Sequence, residues 1–191
     1  MTEPRLPTLM LPRRRIIGAT LSATAVALLA GCAASGEGMQ SALATAPKDV
    51  DLLNVALDLE YGAIAAYQLA ADSKLLEPGV LQLAGGFQAD HREHAALLSR
   101  TIGQLGGRPV GPKPVADYKF RTDRLTNQAN ILAFAAELER QAASAYLSTV
   151  PAFADRKLAA AAASILGAET MHWAILRNAL GQPPLPAPFI A

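Results

Sequence analysis

Two stretches of this chain repeat one another, and the repeat limits the folds open to it more than any other feature. Residues 55–60 read Val-Ala-Leu-Asp-Leu-Glu, with Ala63, Ala66 and Tyr67 following, and residues 134–139 read Phe-Ala-Ala-Glu-Leu-Glu, with Ala142, Ala145 and Tyr146 at the same offsets. Further on, His94 is followed by Ala96, Leu97, Leu98, Ile102, Gly103 and Gln104, and His172 by Ala174, Ile175, Leu176, Leu180, Gly181 and Gln182. The separation is kept as well: Glu60 to His94 is 34 residues and Glu139 to His172 is 33. Two hairpins related in this way pack with approximate two-fold symmetry, which gathers Glu60, His94, Glu139 and His172 near one axis.

The periodicity of the repeated unit is helical. Over 49–71, Leu52, Leu53, Ala56, Leu59, Ala63, Ala66, Tyr67 and Ala70 fall at helix spacing, and alanine adds intrinsic propensity. After a turn at 73–78 a second helix is expected over 79–105, stopped by Gly106 and Gly107. Pro109, Gly111, Pro112 and Pro114 make 108–121 a crossover rather than a helix. A third helix is expected over 123–150, ended by Pro151, and a fourth over 154–180, ended by Gly181, Pro183 and Pro184. No segment alternates with period two over a useful length. The pattern predicts an all-α chain: an antiparallel four-helix bundle over 48–182 with one long crossover between the second and third helices, then a Pro-rich tail over 183–191.

The first 31 residues read as an address. Arg13, Arg14 and Arg15 precede an uncharged apolar stretch over 16–30, too short for a membrane-spanning helix, and Leu29, Ala30 and Gly31 lead into Cys32, the only cysteine. This layout resembles a lipoprotein export signal in which Cys32 is lipidated, and the arginine pair resembles a twin-arginine signal, although Ile16 and Ile17 stand where a polar and then an aromatic or leucine residue are usual. Residues 32–47, rich in Gly, Ser, Ala and Thr, are expected to be a flexible tether. The expected location is the cell envelope, on its periplasmic or extracytoplasmic face, held to the membrane by the lipid. Without residues 1–31 the chain keeps 13 basic and 15 acidic residues, which leaves no basic patch for nucleic acid. With one cysteine, no disulfide forms within the chain, so the core must supply the stability.

Glu60 lies on the Leu53, Ala56, Ala63 and Tyr67 stripe, and Glu139 on the stripe of Leu132, Ala135, Ala142 and Tyr146. A carboxylate is rarely buried unless paired or bound to a metal, so two at equivalent positions imply a polar centre. Glu169 and His172 stand three apart and share a helix face, and His91 and His94 do the same, so all three histidines fall at two equivalent places. Oxygen and nitrogen donors of this kind suit iron, manganese or zinc rather than calcium or magnesium, with room for one or two ions; the alternative is a buried polar network without metal. If a metal is held, donors from all four helices should approach a common point within about 3–5 Å. Asp90 is a candidate ligand or an acceptor fixing an imidazole, and Glu93, Asp58 and Glu137 read as surface charges. Tyr67 and Tyr146 read either as core aromatics or as donors to the ligand carboxylates, and Trp173 as packing.

Together, Glu60, the His94 helix, Glu139 and Glu169-x-x-His172 resemble the ferritin-like superfamily, in particular its exported members. The runs Leu-Asp-Leu-Glu-Tyr-Gly-Ala-Ile-Ala-Ala-Tyr from 57 and Phe-Gln-Ala-Asp-His-Arg-Glu-His from 87 carry the likeness. The resemblance implies that Glu60 and Glu139 are terminal carboxylate ligands, His94 and His172 the imidazoles, and Glu169 a bridging carboxylate. His91 then occupies the position of the other bridging glutamate, which departs from the family pattern and lowers the acidity of the site. The implied cofactor is iron or manganese, as one ion or two, with zinc less favoured. The implied activity is an envelope oxidoreductase or metal buffer acting on oxygen or peroxide, as a monomer or homodimer. The long crossover is nevertheless short beside that of the classical ferritins, which argues against bulk iron storage. The competing expectation is a non-catalytic helical module with a structural or partner-binding role.

Overall fold

The computed structural model describes residues 36–190, with side chains from residue 48 onward. Four helices make up the described part: α1 (Gly36–Asp72), α2 (Pro78–Gln104), α3 (Gln128–Thr149) and α4 (Arg156–Ala179). Among the described residues there is no strand. α1 packs against α2 and α3 against α4 as two hairpins, α1 also meets α3, and the crossover between α2 and α3 carries two short 3-10 turns, Val115–Tyr118 and Thr122–Arg124. The expected bundle is therefore the observed one. The export signal, the arginine pair and Cys32 lie outside the described residues.

The boundaries follow local chemistry. α1 begins at Gly36, so the helix takes in most of the stretch over 32–47 read from composition as a tether. α3 starts five residues later than its periodicity suggests, because the Asn127 side chain accepts from the Asn130 N–H at 2.9 Å and sets the cap, while Asp123 pairs with Arg121 at 3.1 Å in a 3-10 turn. Asp155 caps α4 by accepting from the Lys157 N–H at 2.6 Å.

α2 and α4 end alike. Gly106 (φ +77°) follows α2 and Gly181 (φ +70°) follows α4, each in the left-handed conformation that glycine adopts without penalty. The next N–H reaches back five residues in both, Gly107 to Ile102 O and Gln182 to Arg177 O at 2.9 Å. This corrects the sequence alignment of Gly103 with Gly181. Gly103 lies inside α2, and the true counterpart of Gly181 is Gly106.

The core has two parts. Leu53, Leu57, Leu98, Ile102, Tyr146 and Ile165 form one cluster, and Tyr67, Phe87, Leu132, Ala135 and Leu176 form the other. On each helix the acidic and imidazole residues fall in the sequence between the members of the two clusters, so a polar layer is held midway along the bundle with apolar packing above and below. A polar residue missed as such in the sequence secures one end. Asp49 is 2% exposed and its carboxylate accepts from the Ala154 N–H at 2.9 Å and the Asp155 N–H at 3.0 Å, tying α1 to the α3–α4 turn. Asp49→Ala leaves both donors without this partner, and urea unfolding should register a loss of about 2–4 kcal/mol, with the helical signal of the folded state unchanged.

Candidate metal centre

Every sequence-selected residue of the bundle interior arrives in the same place. Glu60 (α1), His91 and His94 (α2), Glu139 (α3), Glu169 and His172 (α4) converge at the middle of the bundle, and all are buried except His94, which is 16% exposed. They form two overlapping groups. Glu60, His91, His94 and Glu169 each offer one donor atom, all within 4.8 Å of one another, and so do His91, Glu139, Glu169 and His172. His91 and Glu169 belong to both groups, while Glu60 with His94 and Glu139 with His172 each belong to one. The approximate two-fold relation read from the repeat is thus present in the site.

His91 lies between the two outer glutamates. Its Nδ1 is 2.8 Å from Glu60 Oε2 and its Nε2 is 3.2 Å from Glu139 Oε1. Opposite it, Glu169 Oε1 is 3.1 Å from His94 Nδ1 and Glu169 Oε2 is 3.9 Å from His172 Nδ1. His172 Nδ1 also faces Glu139 Oε2 at 3.6 Å, and its Nε2 is 3.1 Å from Asp90 Oδ2. Asp90 is 57% exposed, so it holds the His172 ring from the solvent side. Phe87 stacks on the same ring with centroids 4.1 Å apart.

The tyrosines connect the halves crosswise. Tyr67 of α1 donates to Glu139 Oε1 of α3, and Tyr146 of α3 donates to Glu60 Oε1 of α1 at 2.5 Å. Each tyrosine lies seven residues beyond the glutamate of its own helix and serves the glutamate of the other. The matched offset was visible in the sequence, but the exchange of partners was not, because it depends on how α1 and α3 face one another. Trp173 packs against the second core cluster with Arg177 over its ring. Asp58 pairs with Lys113 and Glu137 with Arg140 at the surface, as expected of them, and Glu93 is exposed.

The charges are mutually dependent. Burial pulls His91 down, but the adjacent Glu139 and Glu60 outweigh it and raise the imidazole to about 10. His94, also opposed by burial, is raised to about 9 by Glu169 and Glu60, and His172 moves up through Glu139 and Glu169. Burial pushes Glu60 and Glu139 upward, yet the imidazoles bring both below the ordinary carboxylate value. Glu169 goes the other way: burial, only partly countered by His94, lifts it to about 7. Burial and the glutamates they serve also raise both tyrosine hydroxyls, which keeps them protonated donors.

These shifts give the metal-free chain a signed pH dependence. The raised imidazoles contribute stability that is fully present below their unfolded value of 6.5 and is lost as pH climbs through about 9 to 10. The lowered Glu60 and Glu139 contribute stability present above 4.5 and lost on acidification, while the raised Glu169 subtracts progressively as pH rises from 4.5 through 7. Thermal melts in chelator should fall between pH 8 and 10.5, and His91→Gln should flatten the alkaline limb. A limb unchanged in that variant would place the titrating groups elsewhere.

Hydrogen bonding alone leaves this cluster incomplete. Both Glu169 oxygens, Glu139 Oε2, His94 Nδ1 and His172 Nδ1 are buried and face one another at 3.1–3.9 Å, yet none of them is in a well-formed hydrogen bond. Five such atoms, drawn from four of the six residues and directed at one layer, are donors of the kind that a bound cation satisfies. The residues present therefore fit a metal: carboxylate oxygen and imidazole nitrogen from four helices, arranged as two groups with two shared members.

A model of the ferritin-like domain matches residues 48–182. The chain belongs to the ferritin-like domain family. Solved structures agree on the fold of this ferritin-like domain. A ferritin-like, diiron-carboxylate protein from Bacillus anthracis is similar at 21% identity with TM-score 0.61, over 71% of this chain and 97% of that one. A conserved hypothetical protein from Mycobacterium tuberculosis is similar at 20% identity with TM-score 0.63, over 77% of this chain and 99% of that one. No curated protein matches.

Proposed function

We propose that this ferritin-like domain binds two transition-metal ions, iron by preference and manganese next, and works as a redox metalloprotein of the cell envelope toward oxygen or peroxide. The observation that carries the reading is the set of buried donor atoms on Glu139, Glu169, His94 and His172 that no well-formed hydrogen bond satisfies, placed within two overlapping groups of four. Glu60 and His94 would hold one ion, Glu139 and His172 the other, with Glu169 and His91 between them. The diiron-carboxylate description of the Bacillus anthracis protein supports iron as the first choice.

Bound iron would supply one-electron changes of oxidation state. The protein's part is to orient and to manage protons. Tyr67 and Tyr146 fix the outer carboxylates and keep their own protons. Asp90 orients His172 from the surface, and the partial exposure of His94 marks the side on which solvent approaches. Because His91 and His94 carry protons near neutral pH, loading the site displaces them, so occupancy should rise with pH from 6 to 8 and release protons to the medium.

The envelope location and the lipid on Cys32 are part of this proposal and rest on the Leu-Ala-Gly-Cys run after the apolar stretch. A homodimer is a further part, supported by exposed Met171 and Ile175 on α4. The reading is tested by metal content per chain in protein exported by and purified from its own host, beside a His94→Ala/Glu169→Ala double variant. One to two equivalents of iron or manganese, lost in the variant, are expected. Protein that is folded and metal-free, and stays so after anaerobic addition of either metal, favours the second reading. In that reading three imidazoliums neutralise three carboxylates and the module is non-catalytic, which the raised imidazoles favour.

A further inference from the structure

The crossover does more than join the hairpins. Tyr118 and Phe120 stack with centroids 5.6 Å apart and planes 12° from parallel, and Phe120 meets Phe134 of α3 edge-on at 5.5 Å. The aromatic pair is fastened to α1. Lys113 forms an ion pair with Asp58 at 2.5 Å, its backbone N–H donates to the Tyr118 hydroxyl at 3.1 Å, and its ammonium lies 5.8 Å from the Tyr118 ring centre. On α1 itself, a Cβ at Gly62 would stand 3.4 Å from the Tyr118 ring, so glycine lets the ring lie close against the helix.

Under this roof, between α1 and α3, is a pocket of about 200 Å³. Leu59, Ala63, Leu138 and Ala142 form its apolar walls, with Tyr118 and Phe120 above. Two carboxylates also border it. Asp58 Oδ1 is buried and has no hydrogen-bond partner, since Lys113 takes the other oxygen. Glu139, 1% exposed, is the most buried residue of the lining and belongs to the polar centre. An apolar cavity of about 150 Å³ holds one benzene ring, so this pocket has room for a single ring with a small substituent.

We propose that the pocket is a binding site for a small neutral aromatic molecule bearing a hydroxyl or amino group, whose ring is held by Tyr118, Phe120, Ala63 and Leu138 and whose N–H or O–H is accepted by Asp58 Oδ1. Size admits one ring, the walls favour an apolar face, and the two buried carboxylate oxygens of the lining that lack a hydrogen-bond partner, Asp58 Oδ1 at the edge and Glu139 Oε2 deeper in, are both acceptors, which calls for a donor on the ligand. An anionic ring is disfavoured by two carboxylates in the lining. The site is built from the crossover and the α1/α3 groove, so it stands whether or not metal occupies the centre. Its occupant lies beside Glu139, and so next to whatever the centre holds.

The probe is phenol, titrated into the purified protein and followed by protein NMR, with cyclohexanol and benzoate as comparisons and metal content measured on every sample. The expected result is a dissociation constant on the order of 0.1–1 mM for phenol, weaker binding of cyclohexanol, and none of benzoate. Ala63→Leu fills the pocket and should abolish binding, Tyr118→Ala removes half the roof and should weaken it roughly tenfold, and Asp58→Asn should weaken it severalfold, all with metal content unchanged. Should Ala63→Leu misfold, Tyr118→Ala and Asp58→Asn still decide the matter, because both side chains reach the surface. Absence of phenol binding at about 10 mM, benzoate bound as well as phenol, or affinity unmoved by the variants overturns the assignment. A metal-free protein that binds phenol as expected leaves the pocket standing and counts only against the metal reading.

Discussion

Glu169→Ala is expected to empty both metal positions, whereas His94→Ala and His172→Ala should each empty one. The reasoning is geometric. Glu169 belongs to both groups of converging donors, and His94 and His172 each to a single one. Glu169 is also fully buried, and neither of its oxygens is in a well-formed hydrogen bond. Removing it takes a charged donor from both groups at once and leaves each with three residues, two of them neutral imidazoles once the metal has displaced their protons. Replacing a residue that merely supports a ligand weakens metal sites by about 10–100-fold, so loss of a shared ligand should exceed 100-fold at both positions. Metal analysis after dialysis against a weak chelator should read about two equivalents for the wild type, about one for either histidine variant and near zero for Glu169→Ala. Equal losses in all three variants would indicate a single mononuclear site. The metal-free stability of Glu169→Ala should rise at neutral pH, since burial opposes the ionisation of all three glutamates but only for Glu169 do the imidazoles fail to outweigh it, leaving it raised to about 7.

The bundle and its polar centre were legible in the sequence for one reason: the repeat. A lone Glu on an apolar stripe is weak information, but Glu60 and Glu139 at matched positions, with histidines at nearly matched distances, left few arrangements that would keep both buried. Helix ends were less legible. The periodicity of α3 extends back to Asp123, and only the competition between Asn127 as a cap and the Arg121–Asp123 pair decides where the helix begins. Gly103 and Gly181 align in sequence, yet the left-handed position after α2 falls on Gly106. What the sequence concealed is whatever depends on one hairpin meeting the other: the crosswise tyrosine bonds, Asp49 capping the α3–α4 turn, and the crossover laid over the α1/α3 groove. Proline and glycine showed that 108–121 would not be helical. Nothing in its pattern indicated that Tyr118 and Phe120 would roof a pocket.

His91→Glu, which restores a second shared carboxylate in place of imidazole, is expected to convert a chain that folds without metal into one that needs it. In the wild type, His91 raised to about 10 carries a proton at neutral pH and donates toward both Glu60 and Glu139, so a positive charge sits between the two outer carboxylates. The substitution removes that charge and adds a negative one in a layer that already holds three buried glutamates. Breaking a buried ion pair is destabilising by about 3–5 kcal/mol, and here one imidazolium serves two carboxylates. Part of the penalty is relieved if the new carboxyl takes up a proton, so urea unfolding in chelator should show a loss of about 3–5 kcal/mol at pH 7 that shrinks toward pH 5. Divalent iron or manganese should reverse the loss, because four carboxylates balance two divalent ions whereas three leave the site cationic. Stabilisation by metal should therefore be larger in His91→Glu than in the wild type at the same free metal concentration. A variant as stable in chelator as the wild type would mean that His91 is not the charge holding Glu60 and Glu139 in place. A variant destabilised in chelator but not rescued by either metal would leave the self-neutralised network of imidazoles and carboxylates as the role of this centre.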